Sequence, residues 1–206
     1  MKYTGPKAKR ARRHGMNLYG TDKYDKILQR KPYGPGKGPK DNTRIKLSEY
    51  AVQLKEKQKV RDMYGLSEKQ FHNYYLSASK VSGQTGDALK RLLEQRLDNV
   101  IYRAGFAMTR MQARQFVSHG HFMVKGRRVT VPSYQVKPGE EIVARVSSKA
   151  SVVFVPILAS HEKYLPPSWI KVDPAAMKIE IVAMPDPTHA EQSIEMRQIV
   201  EFYSRN

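Results

Sequence analysis

The segment from Arg96 to Val146 constrains what this 206-residue chain can fold into more than any other part of the sequence. Its pattern predicts two short helices followed by a tight hairpin. Basic side chains collect on the second helix and the hairpin, where no acidic residue occurs, at Arg110, Arg114, Lys125, Arg127 and Arg128. Because solvated surfaces usually mix both signs of charge, this cluster on a folded scaffold indicates a surface for a phosphate backbone.

The two helices are predicted from apolar spacing and from end signals. The first is expected to begin at an Asp87 cap, to end at Gly105 and to bury Leu89, Leu92, Leu93, Leu97, Val100 and Ile101. The second is expected to run from the capping box Thr109–Gln112 to Gly120 and to bury Ala113, Phe116 and Val117. Arg110 and Arg114 then share the opposite, solvated face without acidic partners. Reversing both to glutamate should therefore change fold stability by under about 1 kcal/mol.

Turn signals divide the following residues into short strands. Lysine is a poor fit for a two-residue mirror-image turn, so at Lys125-Gly126 we expect the glycine to take the strained position, for example in a bulge. Strand-like runs flank this turn, the second at Val129–Val131, and Pro138-Gly139 predicts a type II turn before a strand at Ile142–Val146. After Val155 we expect a loop, and then strands at Trp169–Val172 and Lys178–Ala183.

Helical patterns occupy the regions on either side. One helix is predicted from Ser48 to Gly65, and another begins at the capping box Ser67–Gln70. The second helix carries aromatic residues on one side, which we interpret as core, with stacking on nucleic-acid bases as the alternative, at Phe71, Tyr74 and Tyr75. A last helix is predicted to begin at Thr188–Glu191 and to bury Ile194, Ile199, Val200 and Tyr203.

Positive charge is concentrated in the first three quarters of the chain. Residues 1–60 hold 17 Lys/Arg against 5 Asp/Glu, residues 61–150 hold 15 against 7, and residues 151–206 hold 5 against 7. This gradient favours a polyanionic partner for the N-terminal part, and nucleic acid fits best. A membrane is disfavoured because there is no basic amphipathic helix with a large apolar face and no run of about 18 apolar residues.

Residues 1–43 are predicted to form a basic extension that orders only against a partner, because the segment Lys31–Lys40 is too rich in Pro, Gly and Lys to build a core. A solvated, disordered arm is the alternative. The N-terminus has no apolar signal region, and the absence of cysteine excludes disulfides and thiolate metal sites. We therefore expect a cytoplasmic protein without a cofactor. The close pair His119 and His121 lacks further ligands, so we expect no metal there either.

Candidate nucleic-acid contacts follow from the basic clusters and their polar neighbours. Arg110 and Arg114 lie near the positive end of a helix, and Lys125, Arg127 and Arg128 form a hairpin tip. Gln115 and the two histidines can bond phosphate or 2′-hydroxyl groups, although such histidines as often serve local structure. The full set of candidates is Lys7, Lys9, Arg10, Arg12, Arg13, Lys31, Tyr33, Lys37, Arg44, Lys59, Arg61, Arg110, Arg114, Gln115, His119, His121, Lys125, Arg127 and Arg128.

Several strings together carry a family resemblance. RLDNVIYRAGF, TRMQARQFVSHGHFMVKGRRV and SYQVKPGEEI, with KPYGPG and TGDALKRLLEQ upstream and PPSWIKVD and IVEFYSRN downstream, resemble the small-subunit ribosomal protein S-four family over nearly the whole chain. The resemblance implies an α+β protein. Its expected parts are a basic extension 1–43, a helical domain 44–94 joined by the C-terminal helix 189–204, a two-helix and hairpin RNA-binding domain 95–158, and a strand-rich part 159–188.

The same resemblance implies a function and partners. It implies direct binding to the 5′ domain of small-subunit rRNA at a multi-helix junction, nucleation of subunit assembly, contact with ribosomal protein S-five, a role in decoding accuracy, and a place at the mRNA entrance. Many family members bind zinc through N-terminal cysteines. This chain has none, so zinc is not expected, and we do not interpret His14 as a remaining ligand.

Two other functions are compatible with an RNA-binding module of this kind. One is a stand-alone RNA-binding regulator. The other is an RNA-modifying enzyme, because Arg96-Leu97-Asp98 resembles the catalytic segment of pseudouridine synthases. Here Asp98 falls inside a predicted helix, and the chain has no room for the large catalytic domain, so we interpret Asp98 as a partner for a neighbouring arginine or part of the helix surface. We expect a protein without enzymatic activity.

Overall fold

The computed structural model describes residues 3–36, 47–149, 151–161 and 164–205. The chain divides into two compact units, Met1–Asp87 with Gln192–Asn206, and Ala88–Glu191. The described residues form ten α-helices and one antiparallel five-stranded sheet, so the predicted α+β class is confirmed. The four segments expected from the sequence are finer than this division and stay a prediction. In the described part of the chain, no helix is long and apolar enough to span a membrane.

The first unit is helical. Its helices α3 and α4 begin where the sequence predicts, since the hydroxyls of Ser48 and Ser67 accept hydrogen bonds from Ala51 and Gln70, and Ser67 completes a capping box. Phe71 is fully buried, as expected for core, whereas Tyr74 and Tyr75 are half-buried. The five helices are α1 (Lys7–His14), α2 (Asp22–Arg30), α3 (Glu49–Met63), α4 (Glu68–Ala78) and α10 (Met196–Ser204).

Helix α10 packs against α3 and completes the core of this unit with Ile199 and Phe202. Polar contacts reinforce the packing, for example from Gln53 Nε2 to Glu201 Oε2 at 3.2 Å. The predicted start of α10 at Thr188–Glu191 is wrong. Asp186 caps a single 3-10 turn, Pro187–His189, and the extended backbone of Ala190 then interrupts the helical path until Met196.

The described N-terminal residues form helices that pack within the first unit. Helix α1 packs on α3, with Ala11 and Leu18 buried and an ion pair between Arg10 and Asp62. The expectation that the extension orders only against another molecule stays a prediction. The contacts of α1 with α3 could not be predicted from composition, because α3 lies more than 30 residues away. Residues 37–46 lie outside the described part of the chain.

The second unit packs helices on a small sheet. Its helices are α5 (Thr85–Glu94, from Ala88 onward in this unit), α6 (Leu97–Arg103), α7 (Arg110–His119), α8 (Val146–Lys149) and α9 (Val155–His161). The strands are β1 (Phe122–Val124), β2 (Arg127–Arg128), β3 (Glu141–Ala144), β4 (Ile170–Asp173) and β5 (Lys178–Ile181), in the order β2-β1-β3-β5-β4. The core between helices and sheet includes Leu97, Ile101, Phe106, Phe122, Phe154 and Ile179.

The predicted first helix is two helices in the structure. The backbone breaks at Gln95 and Arg96, where the amide of Val136 bonds the Gln95 carbonyl at 2.9 Å and Arg96 forms a bridge with Gln135. Asp87 is not its cap, because α5 already begins at Thr85. Gly105 does adopt the left-handed conformation after α6, as predicted. Backbone hydrogen bonds from residues about 40 positions further along the same chain thus override a continuous helical pattern.

The hairpin turn also differs from expectation. Lys125 and Gly126 both have positive φ, 49° and 74°, which makes a two-residue mirror-image turn without a bulge. Lysine tolerates this conformation because its amide bonds the Glu141 carbonyl at 3.0 Å and its ammonium lies 3.1 Å from Glu140. The predicted strand at Val129–Val131 is absent, since β2 has only two residues.

The later strands agree with the sequence better than the helices beside them. Gly139 has a φ of 78° at the predicted type II turn. Strand β5 falls within its predicted range, and β4 is shifted by one residue, since it begins at Ile170 and ends at Asp173. Strand β3 ends at Ala144 rather than Val146, because Val146 begins α8. The residues after Val155 form α9 instead of the expected loop, and Ile157 joins the core.

Candidate nucleic-acid interface

Helix α7 is fixed at both ends as predicted. The Thr109 hydroxyl accepts a hydrogen bond from the Gln112 amide at 3.2 Å, and Gly120 ends the helix with a φ of 71°. The Gln112 side chain accepts from the amide of Met108, one residue earlier than in the usual capping box. With Ala113, Phe116 and Val117 buried, the polar face of α7 has a defined orientation.

Arg110 is held on several sides within the second unit. Its guanidinium donates to Asn99 Oδ1 at 2.9 Å and to Glu191 Oε1 at 2.8 Å, and it lies 4.6 Å from the centre of the Tyr102 ring. Only 11% of its side chain is exposed. The expectation that Arg110 faces solvent without an acidic partner is wrong, because the partner comes from 81 residues further along the chain.

A buried ion pair lies beside the same helix. Arg96 donates to both carboxylate oxygens of Asp98, at 3.0 and 2.6 Å, and both residues are almost fully buried. The guanidinium of Arg114 lies 3.9 Å from Asp98. The prediction that Asp98 pairs with a neighbouring arginine is confirmed, and its assignment to a helix is confirmed by α6. Arg114, like Arg110, has an acidic neighbour that the local sequence does not show.

The hairpin presents the most exposed basic side chains of the predicted set in this unit. Arg127 and Arg128 are exposed, and Lys125 is 62% exposed despite its ion pair with Glu140. Although burial opposes it, hydrogen bonds from Lys125, the Lys137 amide and Tyr134 hold the pKa of Glu140 below its ordinary value. The turn is therefore anchored at its base by a carboxylate that stays ionised at neutral pH.

Arg128 is positioned by the end of α7. Its guanidinium donates to the His119 carbonyl at 3.1 Å and covers Gly120 so closely that a Cβ there would lie 2.1 Å from Nε. Glycine at this position thus satisfies both the left-handed backbone and the arginine that lies on it. Arg128 thus connects β2 to the C-terminus of α7.

The two predicted histidines differ in role. His119 is exposed, whereas His121 is half-buried and its Nδ1 lies 3.0 Å from the Ser148 hydroxyl. Burial and the nearby charges of His119, Arg145 and Arg128 lower the pKa of His121. Sequence reasoning missed Arg145, whose amide bonds the His121 carbonyl at 2.8 Å. Its position directly after a strand that pairs with the hairpin was the available signal. We call the residues His119, Lys125, Arg127, Arg128 and Arg145 the hairpin surface.

The candidates in the first unit fall into two groups. Arg10 and Arg61 pair with Asp62, Arg12 donates to the Tyr33 and Gly34 carbonyls, and Lys59 contacts Glu56 and the Ser193 carbonyl. These side chains are engaged within the unit. The other group reaches solvent more freely and comprises Lys7, Lys9, Arg13 and Lys31, of which Lys7 is half-buried. Tyr33 is half-buried beneath Arg12, and Lys37 and Arg44 lie outside the described residues.

The described residues offer no metal centre, since no group of three His, Asp or Glu side chains among them is placed to hold an ion. The side chain of His14 is fully buried, with Nε2 3.7 Å from Asp62. It therefore contributes to the packing of α1 on α3 rather than to an open ligand position.

Comparisons with known proteins bear directly on this geometry. Residues 2–94 match the ribosomal protein S4/S9 N-terminal domain, and residues 95–142 match the S4 domain. The chain belongs to the ribosomal protein S4 family. Among its relatives, the small ribosomal subunit protein uS4 of Latilactobacillus sakei is 48% identical over 205 residues, covering 99% of both chains. The uS4 proteins of Geobacillus stearothermophilus and a Nocardioides species are 46% and 45% identical, over 99% of this chain and 99% and 98% of theirs.

The family match agrees with the structure at its internal boundary. The N-terminal match ends at Glu94, the last residue of α5, and the S4 domain begins at the Gln95 break. The S4 domain then spans α6, α7 and the hairpin, and ends inside β3. All of the hairpin surface except Arg145 lies within this domain.

Proposed function

We propose that this protein is a constituent of the small ribosomal subunit and binds ribosomal RNA directly through the hairpin surface of its S4 domain. The observation that carries the proposal is this basic surface on the helix–hairpin scaffold, where His119, Lys125, Arg127 and Arg128 are exposed and Arg145 is half-buried. Arg128 is oriented by its contact with the His119 carbonyl. The full-length similarity to proteins named as small ribosomal subunit proteins supports the proposal that this protein belongs to that subunit.

The geometry favours recognition of RNA shape and phosphate positions. A two-residue turn makes the hairpin narrow, and Arg127 and Arg128 extend from its second strand with Lys125 at the tip. Helical RNA exposes phosphates and 2′-hydroxyls more readily than base edges, so guanidinium groups on a thin rigid element suit it. Gln115 and His119 are exposed on α7 and can add hydrogen bonds to either group.

The first unit supplies a second basic surface. Lys9, Arg13 and Lys31 are exposed on or beside α1 and α2, with Lys7 half-buried nearby. Because Arg10 and Arg12 are held by internal contacts, they orient this surface more than they contribute free charge. Two separate basic surfaces are what a protein needs to bind more than one RNA helix at a junction.

The family resemblance supports a more specific role within this proposal. The RNA is the 5′ domain of small-subunit rRNA at a multi-helix junction, where binding nucleates subunit assembly. Ribosomal protein S-five is a neighbour, mRNA at the entrance channel is a further partner, and the protein contributes to translational accuracy. The location is the small subunit in the cytoplasm.

A catalytic role has less support. Asp98, the residue that resembles a pseudouridine synthase nucleophile, is 4% exposed, and both of its oxygens accept hydrogen bonds from Arg96. A nucleotide cannot approach a carboxylate held in this way. A stand-alone RNA-binding regulator would use the same hairpin surface and is distinguished by its failure to co-sediment with small subunits after a high-salt wash.

We expect tight, one-to-one binding to an rRNA fragment of the 5′ domain, with affinity that falls steeply with salt. Each phosphate contact contributes roughly 0.7–0.9 to the slope of log affinity against log salt, so several basic contacts give a slope of several units. Filter-binding titrations at four salt concentrations measure this slope, with tRNA as the matched competitor. Equal displacement by tRNA and by the rRNA fragment would contradict the proposal.

Chelation is expected to leave rRNA affinity unchanged. The chain has no cysteine, and α1 packs against α2 and α3. The experiment compares binding curves before and after dialysis against EDTA and determines zinc in the purified protein by atomic absorption. Stoichiometric zinc that is lost together with binding would show that the N-terminal region requires a metal.

A further inference from the structure

Two arginines of the second unit already bind an anion that the chain supplies. Glu191 Oε1 lies 2.8 Å from a terminal nitrogen of Arg110 and 3.6 Å from one of Arg103. Arg110 is the first residue of α7, and no acidic side chain occupies the first turn of this ten-residue helix. Two guanidinium groups thus converge on one carboxylate, and that of Arg103 is also bonded to Glu94. Guanidinium groups bind phosphate oxygens as they bind a carboxylate.

Glu191 differs from the other acidic residues around these arginines. The side chains of Glu94 and Asp98 are 2% and 6% exposed and are bonded to Arg103, Asn99 and Arg96. The side chain of Glu191 is 31% exposed, and it lies in the irregular segment between the 3-10 turn and α10. The first two carboxylates are part of the core, whereas Glu191 can leave without unfolding a helix.

We propose that Glu191 occupies an RNA phosphate site as an internal competitor and is displaced when rRNA binds. This inference rests on the proposed function and adds a regulatory device to it. In the free protein the carboxylate keeps Arg110 oriented over Tyr102 and neutralises it, which limits attraction to non-specific polyanions. In the complex a phosphate takes the position of the carboxylate on Arg110 and Arg103, and the freed Glu191 turns to solvent.

The device predicts that removing the charge of Glu191 increases RNA affinity. Glu191→Gln keeps the side-chain length and an acceptor oxygen for Arg110 but abolishes the competing charge. We expect about fivefold tighter binding at low salt, in keeping with the strength of a partly exposed ion pair. The gain should shrink as salt is raised, because screening weakens the Glu191–Arg110 ion pair that competes with RNA in the wild type.

Two matched variants isolate the cause. Glu195→Gln changes the net charge equally at an exposed position four residues away, so it should bind within about twofold of the wild type. Glu191→Asp keeps the charge but shortens the side chain, so its affinity should lie between those of the wild type and Glu191→Gln. Thermal melts of the full chain establish that each variant is folded at the assay temperature, and Glu191→Asp tests the role of the charge even where the amide variant is less stable.

The outcomes separate the two proposals. If the wild type binds the rRNA fragment no better than tRNA, the proposed function fails, and there is no specific RNA to displace the Glu191 carboxylate. If the wild type binds specifically but Glu191→Gln binds equally or more weakly, Glu191 is only a structural ion-pair partner. Equal tightening by Glu191→Gln and Glu195→Gln, or by Glu191→Gln and Glu191→Asp, would also overturn the inference.

Discussion

Replacing Asp98 with alanine is expected to lower the free energy of unfolding by about 3–5 kcal/mol, because it leaves a buried guanidinium without its carboxylate. Arg96 is 1% exposed and donates two hydrogen bonds to Asp98, at 3.0 and 2.6 Å. Solvent cannot replace these bonds without opening the junction between α5 and α6. Urea denaturation of the full chain, followed by circular dichroism, measures the loss.

Two controls belong with this variant. Asp173→Ala removes a carboxylate at an exposed turn and should cost no more than about 1 kcal/mol, the value of a local side-chain to backbone bond. The double variant Arg96→Met and Asp98→Leu removes both buried charges and should recover much of the stability. A loss below about 1 kcal/mol for Asp98→Ala would show that the pair contributes little and that the break at Gln95 is maintained by backbone bonds alone.

Reversing Arg127 and Arg128 to glutamate is expected to reduce rRNA affinity by at least about 100-fold, from two lost phosphate contacts and the added repulsion. Fold stability should change by less than about 1 kcal/mol, because both side chains are exposed and β2 is an edge strand of only two residues. Filter binding measures the first effect and a thermal melt measures the second.

The sheet offers a matched control for this reversal. Arg127 on β2 and Lys171 on β4 are exposed on strands at opposite edges of the same sheet. Single reversals, Arg127→Glu and Lys171→Glu, change the net charge equally. We expect roughly a tenfold loss of affinity for the first and less than about threefold for the second. Similar losses for both would show that affinity depends on overall charge rather than on the hairpin surface.

The structure explains why the hairpin is a better probe than α7. From the sequence, reversal of Arg110 and Arg114 should leave stability almost unchanged. In the structure a glutamate at position 110 would meet Glu191, and one at position 114 would approach Asp98. Both changes therefore destabilise the unit, and a loss of RNA binding would not distinguish a lost contact from a lost fold.

Features governed by neighbouring residues could be predicted from the sequence. The caps at Ser67 and Thr109 and the glycine ends at Gly105 and Gly120 depend on residues within a few positions, and all four are confirmed. The predicted start of α3 near Ser48 is also confirmed. The apolar face of α7 followed from helical periodicity, and the class of interface followed from the basic cluster. Caps and helix ends of this kind depend on neighbouring residues and not on the tertiary fold, so the sequence predicts them.

Features that depend on distant residues could not be predicted in this way. Arg110 pairs with Glu191, and the ammonium of Lys125 pairs with Glu140. Helix α1 packs against α3. Each joins parts of the chain that local periodicity treats separately. The break at Gln95 has the same origin, because a continuous helical pattern gives no sign that residues 134–136 will bond its backbone.

The return of α10 to α3 has a consequence for the order in which the protein forms during synthesis. The second unit, Ala88–Glu191, is one uninterrupted stretch of chain, so all of its core has been translated before Gln192 is added. The first unit begins earlier but needs Ile199 and Phe202 to close its core. We therefore expect the second unit to fold first, which reverses the usual order in which the N-terminal part folds first. The second unit, with its S4 domain, can then mature and reach RNA before α10 covers α3.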